Sequence, residues 1–153
     1  MDKVAGVQMD PMSVAFDEAR AAAQKGEVPV GAVIVRDGSV IASAGNRPRE
    51  MRDPSAHAEM LAIRRACETL DDERLIGCDL YVTLEPCTMC AAAISFARLR
   101  RLYYGASDPK GGGVEHGARV FSQPTCHHAP ELYPGLAEER AATLLKTFFG
   151  GKR

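Results

Sequence analysis

No stretch of this sequence is apolar for long enough to cross a bilayer. Its opening residues also lack the charged-then-apolar pattern of a signal peptide, because Asp10, Asp17 and Glu18 interrupt it. The expectations are therefore no membrane association and a cytoplasmic location. Net charge is missing too. Lys plus Arg number 19 against 20 Asp plus Glu, leaving −1, which is not the footprint of a general nucleic-acid binder. Charge is arranged locally instead, with arginines at Arg47, Arg49 and Arg52 and again at Arg98, Arg100 and Arg101, and acids at Glu68, Asp71, Asp72 and Glu73. Such clusters are ordinary solvated faces unless a functional site lies beside them.

An even set of cysteines is also absent. The five cysteines, at positions 67, 78, 87, 90 and 126, argue against a disulfide framework and for free or metal-bound thiols. There are no repeats, low-complexity tracts or Pro/Ser linkers, so residues 1–153 read as a single domain. A chain of this length buries roughly two-thirds of its unfolded surface, and 46% apolar with 25% charged residues is ordinary globular composition.

The pattern of what is present implies an α/β fold. Residues 12–25 are alanine-rich, with Val14, Ala15, Ala19 and Ala22 on one helical face and Gly26 as a stop. Residues 30–36 and 40–44 read as strands joined through Asp37-Gly38, a hairpin cue. A polar loop over 46–54 leads to a second helix over 56–70, with Ser55 as its expected N-cap. Residues 80–84 read as a buried strand, 87–97 as a short helix, 101–105 as a fourth strand, and 129–133 as an edge strand confined by Pro130 and Pro134. The glycine-rich stretch 106–125 reads as loop with a short helix near Val120, and 136–149 as a closing amphipathic helix. Helices separate the strands after the hairpin, which implies a mixed five-stranded sheet with helices on both faces, a three-layer α/β/α arrangement.

Two short motifs carry chemistry, each at the start of a helix. One is His57-Ala58-Glu59; the other is Pro86-Cys87-Thr88-Met89-Cys90. Residues three apart share a helical face, so Cys87 and Cys90 suit one metal ion, and a helix N-terminus favours thiolates. With His57 as third ligand, Zn²⁺ keeps one position open, the pattern of a catalytic site. Coordination lowers the pKa of a bound water to about 7. Glu59, two residues from a ligand but not needed as one, is placed to move the protons. Either motif alone is weak, since a lone Cys-x-x-Cys also serves redox pairs and halves of structural zinc sites. Together they favour catalysis, because no second Cys-x-x-Cys exists to complete a four-cysteine site. His116, His127 and His128 read as surface or packing residues, Cys67 and Cys78 as core fillers, and Cys126 as a loop thiol. Gly111, Gly112 and Gly113 lack a phosphate-loop lysine and read as a flexible loop.

These motifs resemble those of the cytidine-deaminase-like zinc deaminase superfamily. The flanks Glu27-Val28-Pro29-Val30-Gly31-Ala32, Gly45-Asn46-Arg47-Pro48, Asp53-Pro54-Ser55-Ala56 and Leu80-Tyr81-Val82-Thr83-Leu84-Glu85 are similar to those of bacterial tRNA-specific adenosine deaminases. The likeness is dense over 27–105 and looser beyond. It implies a homodimer with one Zn²⁺ per chain that converts adenosine to inosine at the wobble position of a tRNA anticodon stem-loop. It also implies that Glu59 is the proton carrier and that Asn46 and Asp108 are substrate contacts, although Pro109 alters the Asp108 loop. Two alternatives stay open: a deaminase of free guanine or cytosine, and a zinc-stabilised RNA-binding module without catalysis.

Overall fold

The computed structural model describes residues 10–150. Its first helix, α1 (Pro11–Gln24), starts where the sequence supplies a cap. Asp10 Oδ1 accepts from Met12 N at 3.2 Å, and Pro11 occupies the first turn, where its missing N–H costs nothing. Met12, Ala15, Phe16, Ala19 and Ala22 form its buried face. Strands β1 (Gly31–Arg36) and β2 (Ser39–Gly45) follow as the expected hairpin, with Asp37 at φ 51° and Gly38 at φ 78°. Both turn residues at positive φ twist the chain the way the strands twist, which is why Asp-Gly stands there.

The remaining elements are α2 (Pro48–Met51), α3 (Ala58–Leu70), β3 (Cys78–Leu84), α4 (Thr88–Phe96), β4 (Arg101–Ala106), β5 (Glu131–Tyr133) and α5 (Glu138–Gly150), with a 3₁₀ turn at Val120–Ser122. The sheet order is β2-β1-β3-β4-β5. β1 runs antiparallel to β2 and β3, whereas β3, β4 and β5 are mutually parallel. This is the mixed five-stranded sheet expected.

Side chains of β1 alternate between two cores. Ala32 and Ile34 join Leu61, Ala62, Leu80, Val82 and Ile94 beneath α3 and α4. Val33 and Val35 join Phe16, Ala106 and Ala141 beneath α1 and α5. A strand covered on both faces reads as a continuous apolar run rather than an alternating one, and residues 31–35 are all buried. Arg140 lies over the Phe16 ring at 4.1 Å from its centroid, tying α5 to α1. The short edge strand β5 is held by a ladder of rings: Tyr81 stacks on Tyr103 at 4.3 Å and Tyr103 on Tyr133 at 4.8 Å, at paired positions of three adjacent strands.

The structure departs from the sequence reading at several helix ends. The expected cap Ser55 instead donates its hydroxyl to Asp53 Oδ1 at 2.7 Å, closing a local turn. His57 is the N-cap residue of α3, in extended conformation. Cys87 likewise stands at the N-cap of α4 and not inside it. The 46–54 loop contains the one-turn helix α2, which its proline and short length concealed.

Gly31 shows how closely α1 is laid on the sheet. A Cβ there would collide with the Ala15 carbonyl oxygen and approach Ala19 N to 2.8 Å, both fixed helix backbone. Gly31→Ala therefore forces α1 off β1 and lowers stability by about 2–3 kcal/mol, within the range for overpacked cores. Urea denaturation would measure this as a lower midpoint with an unchanged slope.

Candidate active site

Two helix N-termini meet beyond the end of β3, and their capping residues supply the chemistry. α3 begins after His57, whose own side chain makes no capping bond. The cap comes from elsewhere: Asn46 Oδ1 accepts from Ala58 N at 2.8 Å. His57 is thereby released to turn its ring toward α4. At α4, Cys87 is the N-cap residue and Cys90 is the third helical residue. Those two positions face each other at any helix start, since an N-cap side chain normally reaches toward the third residue.

The geometry suits a metal. His57 Nδ1 lies 3.6 Å from Cys87 Sγ and 3.5 Å from Cys90 Sγ, and the three donor atoms are all within 4.8 Å of one another. A tetrahedral zinc with bonds of about 2.3 Å to sulfur and about 2.0–2.1 Å to nitrogen has S···N edges of about 3.6 Å. Both S···N distances therefore match the edges of a zinc tetrahedron, with the fourth corner unclaimed by any of the three.

Glu59, the second residue of α3, is only 4% exposed. Burial pushes its carboxyl up to about 7, and the nearby Cys87 thiolate adds to that, against a smaller opposing pull from His57. Hydrogen bonds from Cys90 and His57 push the Cys87 thiol down to about 4, whereas the Cys90 thiol is pushed up by its bond to Cys87 and by burial. The bond with Cys87 raises His57. Without a cation, ionisation is thus favoured at Cys87 and opposed at Cys90 and Glu59. A divalent ion displaces those protons, so binding is coupled to pH.

Two further glutamates, quoted in the flanking motifs but given no role of their own there, organise the surroundings. Glu27 is buried and accepts from the backbone N–H of Arg49 at 3.2 Å and of Glu50 at 2.8 Å, which seats α2 and the arginine loop. Glu85, at the end of β3, has a fully buried side chain. Its Oε1 accepts from Asp108 N at 2.9 Å and from the His116 ring at 2.8 Å; its Oε2 accepts from Val114, Glu115 and His116 N at 3.1, 2.9 and 3.2 Å. Burial opposes the Glu85 charge, yet the bonds from Asp108, His116 and Val114 outweigh it and hold the carboxyl below its usual range. The Glu85, Glu115 and His116 donor atoms are also close enough to hold a metal, but the Glu85 lone pairs are committed to the loop. A buried glutamate at a strand end, next to a metal-binding motif, was the one available signal for it.

The other predicted residues fall in distinct places. Asp108 is half-buried, with Oδ1 accepting from Lys110 N at 3.3 Å and Gly111 N at 3.0 Å. Gly113 is pressed against the first turn of α4, where a Cβ would meet Thr88 Cα at 2.6 Å and Cys87 C at 2.8 Å. The triglycine segment is a clamped loop with a close-packing requirement, not the flexible loop expected. His116 takes the packing role that was one of its two expected ones, its ring paired with Glu85. His128 packs as expected, its Nε2 at 2.6 Å from Leu99 O, and Cys126 lies 3.5 Å from Ser95 Oγ. Of the arginines, Arg100 forks onto Asp79 at 2.9 Å through two nitrogens and Arg101 pairs with Glu131 at 3.2 Å. Arg100 and Arg101 of the second cluster are thus paired with acids of the sheet. In the first cluster Arg47 pairs with Glu50 at 2.9 Å, and Arg49 and Arg52 are exposed.

Comparison with known proteins agrees with this geometry. The family model of the cytidine and deoxycytidylate deaminase zinc-binding region matches residues 7–106. The tRNA-specific adenosine deaminase of Agrobacterium fabrum is 67% identical over 142 residues, covering 93% of both chains. The chain belongs to this zinc-binding deaminase family, on its tRNA-specific adenosine deaminase branch. A solved structure from work on A-to-I editing by tRNA:A34 deaminases superposes with a TM-score of 0.87 at 67% identity, covering 88% of this chain and 98% of the other. The guanine deaminase of Bacillus subtilis superposes with a TM-score of 0.64 at 31% identity, covering 94% of each chain. The protein is a deaminase with a zinc-binding domain, and among its described residues the His57, Cys87 and Cys90 donors are where a zinc ion fits.

The raised Glu59 carboxyl has a consequence for stability in the metal-free deaminase. Below about pH 4.5 Glu59 is protonated in both folded and unfolded chains. Between about 4.5 and 7 only the unfolded chain ionises, so stability falls as pH rises; above 7 the penalty is constant. In metal-free protein, Glu59→Gln matches the wild-type Tm near pH 4. It exceeds it by an amount that grows up to pH 7 and then levels off, a gain of at most about 3 kcal/mol. Thermal melts of the chelated protein across this range would show it, and a pH-independent difference would remove the argument.

Proposed function

We propose that this deaminase converts adenosine to inosine at the wobble position of a tRNA anticodon stem-loop, as a cytoplasmic homodimer with one zinc ion per chain. The observation that carries the choice of substrate is the 67% identity, over nearly all of both chains, with a tRNA-specific adenosine deaminase. His57, Cys87 and Cys90 are the residues that would hold the ion. When bound, zinc supplies Lewis-acid activation of a water molecule.

The chain's own groups account for the rest. Glu59 is buried beside the donor cluster with a carboxyl near neutrality, so it can accept a proton and release it again at working pH. Hydrolytic deamination needs such a carrier, because a proton must reach the ring nitrogen of adenine and another must accompany the departing ammonia. Asn46 spends its Oδ1 on the α3 cap and keeps its Nδ2 hydrogens uncommitted among the described residues. That leaves a rigidly held donor for the nucleotide. Asp108 uses Oδ1 on its own turn, leaving Oδ2 to contact the substrate. The exposed Arg49 and Arg52 lie in the loop that joins Asn46 to His57, where phosphates of an RNA hairpin can reach them.

The decisive test pairs substrates and variants. Wild-type protein forms inosine in an anticodon stem-loop and releases no ammonia from free guanine or cytosine; the reverse pattern would establish the free-base reading instead. Glu59→Ala retains zinc but loses at least about a hundredfold in rate, the usual contribution of a general acid–base group, and normal turnover of that variant would remove Glu59 from the mechanism. RNA affinity falls steadily as salt is raised, through release of counterions from the phosphates. Arg49→Ala with Arg52→Ala flattens that dependence, measurable by titration at several salt concentrations.

A further inference from the structure

The contacts of Glu85 exceed what ending a strand requires. β3 finishes at Leu84, and Glu85 N is already bonded to Ala106 O at 2.8 Å. Its buried carboxylate then gathers four backbone N–H groups and one imidazole, all from residues 108–116. That segment has no regular secondary structure of its own. A loop of this kind in a compact fold is held for a purpose or not held at all.

The place where it is held is specific. Gly113 N bonds to Pro86 O at 2.8 Å, and the Gly113 backbone lies directly against Thr88 and Cys87 at the start of α4. Gly112 is in the same position relative to the carboxylate: a Cβ there would collide with Glu85 Oε2 and meet Asp108 O at 2.6 Å. One end of the clasp is therefore immovable, because Glu85 is two residues from a donor of the metal cluster. The other end is His116, whose ring is about one-third exposed. His116 closes the circuit on Oε1, the same oxygen that holds Asp108.

We propose that Glu85 and His116 are positioning residues that hold the 107–117 loop as a fixed wall beside the metal cluster, and so set the affinity for the RNA substrate rather than the rate of proton transfer. The proposal rests on the tRNA reading given above. Its physical basis is preorganisation: a loop already ordered by buried charge-assisted hydrogen bonds loses little entropy when the substrate arrives. Among the described residues no hydrogen bond links Glu85 or His116 to Glu59. Loosening the clasp weakens binding and leaves chemistry intact.

The test uses His116→Ala, His116→Asn and Glu85→Gln in the zinc-loaded full-length protein, with an anticodon stem-loop as substrate. His116→Ala raises KM about tenfold, keeps kcat within about twofold and retains wild-type zinc content, the loss of one charge-assisted hydrogen bond. His116→Asn keeps a donor beside Glu85 and restores most of the affinity. Amide hydrogen exchange at Val114 and Glu115 accelerates about tenfold in His116→Ala and not in His116→Asn. Glu85→Gln shifts KM in the same direction; should it fail to fold, the His116 variants decide alone. A fall in kcat at unchanged KM, or wild-type amide protection in His116→Ala, would overturn the proposal. No inosine from the wild-type protein would sink the tRNA reading and the RNA half of this proposal with it. The exchange measurement would still decide whether the clasp orders the loop.

Discussion

Two helices begin at one point, and everything else in the site follows from that. The first turn of a helix leaves backbone N–H groups without partners and carries the positive end of the helix dipole. Bringing the N-termini of α3 and α4 together therefore makes a pocket that favours negative charge before any side chain is counted. His57 and Cys87 occupy the two N-cap positions, where the backbone is extended and the side chain turns back over the helix start. Neither uses its side chain as a cap. Both are free to meet, and Cys90 is brought to them by one helical turn. The price of that freedom at α3 is met by Asn46, which caps the helix from twelve residues upstream.

The same economy explains why three acidic side chains are buried around one site. Burial of Glu59 raises its carboxyl to about 7 by desolvation. Glu85 is buried with the opposite result, because backbone N–H groups and His116 hold its carboxyl below the usual range, and buried Glu27 likewise accepts two backbone N–H groups. One of them seats the arginine loop that precedes α3, and the other seats the glycine-rich loop beside α4. Three residues of one type thus divide, by their hydrogen-bond partners, into one buried carboxyl beside the donor cluster and two loop anchors.

Much of this was legible in the sequence because the signals are local. Asp37-Gly38 determines a hairpin through the φ angles of two adjacent residues. The three-residue spacing of Cys87 and Cys90 and the two-residue spacing of His57 and Glu59 place side chains within single helical turns. What escaped was non-local. Ser55 has the composition of a cap, and it lost that role to His57 because Asn46, distant in sequence, reaches Ala58 first. Gly112 and Gly113 look like slack, yet they are required by backbone pressed against them from Asp108, Cys87 and Thr88. His116 reads as a surface or packing histidine, and its partner Glu85 shows only in the fold.

By itself, then, the sequence determined the candidate donor set and the alternation of strands and helices, since each is a matter of residue type at short separation. The tertiary structure alone decided that His57 stands at zinc-tetrahedron edge distances from both cysteine sulfurs, and that Glu27 and Glu85 accept loop backbone N–H groups while Glu59 is buried beside the donors. The reason is physical: coordination geometry and desolvation depend on distances between segments separated by some thirty residues, such as His57 and Cys87. Only the packing of α3 and α4 on one face of the sheet sets those distances.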